Sequence, residues 1–138
     1  MDAAYWLVFG FSIWTLILLL GIGLNRLILV YGYHQKVSSF KASCEDGPTF
    51  AHRLGRAHAN CYENLPILLG VVFFAYVSNH VAVINCAAYA FLGLRIAQSV
   101  VHLISTRPRA VLIRFLLFCF QIAIMIYWII QLMWITTH

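Results

Sequence analysis

"AAYWLVFGFSIWTLILLLGIGL", residues 3–24, contains no charged side chain and no proline. A helix of roughly 20 apolar residues crosses the ~30 Å hydrocarbon core of a bilayer, so this stretch is long enough to span by itself. After Asn25 and Arg26 the apolar character resumes as far as Tyr33. Three further apolar stretches follow, at 65–77, 81–104 (interrupted by Arg95) and 115–135. The chain is 63% hydrophobic and 9% charged, whereas a soluble domain carries about a quarter charged residues. Backbone groups in lipid must be satisfied internally, which leaves helices or closed barrels, and these runs lack the alternation of a barrel strand. The expectation is an all-α integral membrane protein: one domain over 1–138, built as a four-helix up-and-down bundle. Its helices are expected at about 3–33, 56–78, 81–105 and 109–135, with a loop at 34–55.

The leading "MDAAYW" is acidic rather than basic, and no small-residue cleavage site follows. The first stretch is therefore read as a retained span. Lys36, Lys41, Arg53 and Arg56 lie in or beside the 34–55 loop, and Arg107, Arg109 and Arg114 gather before the fourth run. The tight turn "SNH" at 78–80 and the two ends carry no lysine or arginine. By the positive-inside rule both basic segments face the cytoplasm and both termini face away, a pattern that suits a bacterial inner membrane. The net charge of +5 is thus a topology signal and gives no reason to expect nucleic acid. Cys44, Cys61, Cys86 and Cys119 show no metal-binding spacing and read as small buried hydrophobes.

The second run opens on "RAHANCYENLP", residues 56–66, a polar segment at the edge of an oily one. At about 100° per residue, Arg53, Arg56, Asn60 and Glu63 share one stripe roughly 80° wide, and His58 points elsewhere. Arg95, Gln98, Ser99 and His102 make a second stripe, Arg114, Gln121 and Met125 a third, and Arg26 with Tyr33 marks the end of the first helix. A charge at the bilayer centre costs roughly 2.5–3.5 kcal/mol on insertion scales. Two readings follow. In one, Glu63 and Arg95 form a buried ion pair that fixes helix register while the end arginines snorkel. In the other, the stripes line a pocket for an anionic ligand, since one carboxylate leaves Arg56 and Arg114 over. Pro66 removes a helix hydrogen bond at the carbonyl of Tyr62 and can tilt the polar turn toward a cleft.

Arg56, Ala57, His58, Asn60, Glu63 and Pro66 closely resemble the signature of the membrane-associated proteins in eicosanoid and glutathione metabolism, the MAPEG family. "LRIAQSVVHLIS" (94–105) is similar to that family's third helix, and "RAVLIRFLLF" (109–118) to the start of its fourth. The resemblance spans nearly the whole chain. It implies a homotrimer with glutathione held between subunits at sites open to the cytoplasm. It also implies a transferase or peroxidase acting on lipophilic electrophiles or lipid hydroperoxides that reach it through the bilayer. By resemblance Arg56 holds a carboxylate of glutathione, Asn60 a peptide group, and Glu63 the ammonium while leaning on Arg95; Arg53 joins this set. His102 stands where relatives often have a tyrosine, and Ala59 where some have a second arginine. The family places a thiolate-stabilising arginine near the start of helix 4, a role open here to Arg114 or Arg109. Two other functions fit such a chain: a non-catalytic interaction protein, and a small proton-coupled transporter using Glu63. The surplus of arginine repels the cationic cargo of the latter.

Overall fold

The computed structural model describes residues 2–40 and 49–138, so Lys41 and Cys44 lie outside the described residues. The described residues form five α-helices, α1 (Ala3–Tyr33), α2 (Thr49–Val77), α3 (Ala82–Asn85), α4 (Ala88–Ile104) and α5 (Pro108–Thr137), with a short 3-10 turn at Val37–Ser39. No strand occurs among the described residues. α1, α2 and α5 are each long and apolar enough to cross a membrane. Tyr5, Phe9, Leu24 and Ile28 on α1, and Phe120, Ile130 and Trp134 on α5, are exposed. In water such surfaces invite aggregation; in a bilayer they are the expected lipid contacts.

α1 ends where His34 adopts a left-handed conformation (φ 53°) and the Gln35 N–H turns back to the Leu29 carbonyl at 3.1 Å. This satisfies a carbonyl the helix end leaves open. Asn79 (φ 59°) plays the same part after α2, with the His80 N–H reaching the Ala75 carbonyl at 2.8 Å. Pro108 opens α5 at a position where its missing N–H has no helical partner to lose.

Two boundaries differ from the sequence expectation. α2 begins at Thr49, well before Arg56, and absorbs part of the expected loop. Its buried residues Ala51, Leu54, Ala57 and Cys61 recur every three or four positions, so one helical stripe runs from the polar segment into the span. Leu54 packs over Gly21 of α1, where an added Cβ would stand 3.3 Å from the leucine methyl. The third apolar stretch is not one helix. It breaks at Cys86 and Ala87 (Ala87 φ −130°, ψ 8°), leaving α4 with 17 residues, about 25 Å at 1.5 Å per residue. The interruption lets Asn85 face the first turn of α1, where its Oδ1 accepts the N–H of Ala4 at 2.8 Å. That amide belongs to the first turn of a helix, where N–H groups lack intrahelical acceptors.

α4 packs against α1, α2 and α5, and α2 also packs against α1. Phe11, Phe91 and Trp128 stack through the core, with centroids 6.5 Å and 5.4 Å apart, together with buried Leu7, Leu68 and Ile84. These residues occupy the first half of α1, the second halves of α2 and α5, the short α3 and the start of α4. The opposite halves of α2, α4 and α5 carry the polar stripes.

Candidate functional site

Three helices deliver side chains to one cavity of about 310 Å³. α2 contributes Arg56, Asn60 and Glu63, α4 contributes Gln98 and His102, and α5 contributes Arg114. Ala59 and the apolar trio Val111, Phe115 and Phe118 complete the lining. The trio recurs at helical spacing around Arg114, so a greasy wall and a cationic group come from the same turns of α5. Sequence reading missed that wall, although the i, i+4, i+7 spacing of Val111, Phe115 and Phe118 carries the signal.

The electrostatic balance is positive. Arg56 and Arg114 line the cavity, and Glu63 is the only carboxylate among the described residues of its lining. Around His102 the charges of Arg114, Arg56, His52 and Arg53 converge. Arg53 is half-buried and its Nε is enclosed without a hydrogen-bond partner among the described residues; it stands near the cavity without lining it. Arg109 is exposed and also outside the lining. Five residues of helix rotate it about 140° from Arg114, which explains why one faces the cavity and the other does not. α1 contributes nothing to the lining: Tyr33 is 76% exposed, and Arg26 sits 5.6 Å from the ring centre of Phe40. The fourth polar stripe expected from sequence therefore does not join the other three.

The expected Glu63–Arg95 ion pair does not form; among the described residues no ion pair joins them. Arg95 is 1% exposed and lies behind the cavity. Its Nη1 donates to the Asn60 carbonyl at 3.2 Å and to Gln98 Oε1 at 3.1 Å, and its guanidinium lies 5.5 Å from the centre of the Phe11 ring. Gln98 is one helical turn from Arg95, and the backbone of α2 passes close enough for a carbonyl to reach the guanidinium first. Neutral oxygens and a ring face thus compensate the buried cation, while Glu63 stays exposed.

The polar set continues into α5. Gln98 Nε2 donates to the Arg114 carbonyl at 3.3 Å, and Gln121 Nε2 donates to Gln98 Oε1 at 3.1 Å and to the Leu117 carbonyl at 3.1 Å. Ser99 Oγ gives its proton to the Arg95 carbonyl at 3.0 Å. The thiol of buried Cys61, 3.5 Å away, must therefore donate to that oxygen. His58 turns from the cavity, as its helical angle requires, with its ring 5.5 Å from that of Tyr62.

Comparison with models of known families finds one match: the MAPEG family, over residues 3–134. Neither a comparison with curated proteins nor one with solved structures returned a match.

Proposed function

Since the chain belongs to the MAPEG family, we propose that it is a glutathione-dependent transferase or peroxidase, working as a trimer of four-helix transmembrane bundles. The observation that carries this reading is the cavity's charge pattern. Two lining arginines stand with one carboxylate, unpaired with Arg95, beside an apolar wall. Glutathione offers the matching set of two carboxylates, one ammonium and a thiol. Arg56 binds a carboxylate, Asn60 a peptide group, and Glu63, released from Arg95, takes the ammonium. Arg53 and His102 extend the polar surface, and the cavity opens toward the cytoplasm on the side of the basic loops.

Arg114 is the activating group in this reading, because it lines the cavity and Arg109 does not. A free thiol has a pKa of about 8.5, and each unit of lowering needs about 1.4 kcal/mol of preferential stabilisation of the thiolate. A guanidinium supplies this without giving up its own proton. The thiolate sulfur then bonds to an electrophilic carbon and its leaving group departs, or it attacks the terminal oxygen of a lipid hydroperoxide, breaking the O–O bond and releasing the lipid alcohol. In the second case the glutathione sulfenic acid condenses with a second glutathione to give disulfide and water. Phe115 and Phe118 present the apolar face such substrates require.

The test is a titration of the detergent-purified protein with glutathione, following the ultraviolet difference absorbance of thiolate. Wild-type protein should give a saturable signal, Arg114→Ala should lose it, and Arg109→Ala should keep it. A folded wild-type protein with no thiolate at any concentration removes the enzyme reading. The polar residues then organise an interaction protein instead.

A further inference from the structure

The buried amides of Gln98, at the cavity wall, and Gln121, behind it, have no role so far, although they connect the α4 and α5 sides of the cavity. Their donors and acceptors run in one direction. Arg95 has only donors, so the oxygen of Gln98 must face it, which leaves the nitrogen for the Arg114 carbonyl. Gln121 also presents its nitrogen to Gln98 Oε1 and holds itself in place on the Leu117 carbonyl. A continuous chain therefore joins the α2 backbone at Asn60, through Arg95 and Gln98, to the α5 backbone at Arg114. Asn60 and Arg114 both line the cavity. Arg95, Gln98 and Gln121 are each at most 4% exposed, so water does not compete for these bonds.

We infer that Gln98 and Gln121 are positioning residues that set the distance between Arg114 and the α2 wall by fixing the α5 turn carrying that arginine. The inference deepens the glutathione reading and rests on it for its catalytic meaning. A guanidinium's effect on a nearby thiol depends on distance, whereas Arg56, Asn60 and Glu63 hold the rest of the ligand from another helix. Loosening the frame from Gln121 should therefore change thiol ionisation and leave the affinity for glutathione in its thiol form alone. Gln121 is the more telling residue because it does not line the cavity. Gln121→Leu removes the second donor on Gln98 Oε1 and the tie to Leu117, and lets the Gln98 amide and the α5 turn relax.

The experiment follows the thiolate absorbance of bound glutathione against pH in wild type, Gln121→Leu and Gln98→Leu, with the half-saturating glutathione concentration measured in parallel. The expected result is an upward shift of the ionisation midpoint by about one pH unit in both variants, or about tenfold less thiolate near neutrality, with affinity unchanged in Gln121→Leu at a pH below both midpoints, where glutathione binds as the thiol. An unmoved midpoint in Gln121→Leu overturns the inference, as does lost affinity with the midpoint in place. If wild-type protein forms no thiolate, the glutathione reading itself falls, and the frame is judged on Arg114 alone. Phenylglyoxal labelling, read by mass spectrometry against Arg109 as internal reference, should then be faster at Arg114 in Gln121→Leu. Equal labelling of Arg114 in the two proteins overturns the positioning role.

Discussion

The two ends of the helix assembly are held by different forces. Around Phe11, Phe91 and Trp128 the helices meet through rings and aliphatic side chains. Around Arg95 they meet through directed hydrogen bonds from Arg95 Nη1 and Gln121 Nε2, while Arg95 Nε is buried with no acceptor among the described residues. Dispersion between packed rings tolerates small rotations, whereas a hydrogen bond weakens steeply once its angle departs from linear. The apolar end therefore supplies strength and the polar end supplies geometry, and the cavity stands at the end where geometry is fixed.

Substitutions at each end should separate these contributions. Trp128→Ala should have the largest effect: a fully buried aromatic removed from a core costs about 3–5 kcal/mol. The loss would appear as a lower midpoint of thermal unfolding in detergent, with glutathione-dependent thiolate intact in the protein that remains folded. A wild-type midpoint would mean that the ring stack carries little of the stability. Arg95→Leu should cost less, about 1–3 kcal/mol, because the Asn60 carbonyl and Gln98 Oε1 each lose one donor. It should nevertheless abolish or strongly reduce thiolate formation. Full thiolate in Arg95→Leu would show that the cavity walls do not depend on the polar frame. Asn85→Ala should cost least, about 1 kcal/mol, the usual worth of a helix N-terminal cap. Its signature would be faster hydrogen exchange at the first turn of α1, and unchanged exchange there would remove the cap from the account.

Much of this division is legible in the sequence, for a physical reason. Charge-free length identifies α1, and rotation of 100° per residue brings Arg56, Asn60 and Glu63 to one face and sends His58 away from it. What cannot be read is which oxygen a buried guanidinium reaches. Glu63 and the Asn60 carbonyl are less than one turn apart, and the choice depends on how closely α2 and α4 approach. The broken third stretch is equally silent, since neither glycine nor proline marks Cys86 and Ala87. The reach of Asn85 to another helix comes from tertiary packing. The early start of α2 was hidden because Gly55 and its polar neighbours resemble a loop, while the buried spacing of Ala51 and Leu54 becomes informative only once Gly21 is known to lie opposite.

Asn85 and Ala4 are separated by 81 positions in the chain, which gives their bond a place in time as well as in space. A chain emerging from its N-terminus forms α1 long before Asn85 exists, so the amide of Ala4 begins life solvated by water or headgroups. The amide is withdrawn from that solvent only when the third apolar stretch arrives and bends at Cys86. The beginning of the first span is thus completed by the third apolar stretch.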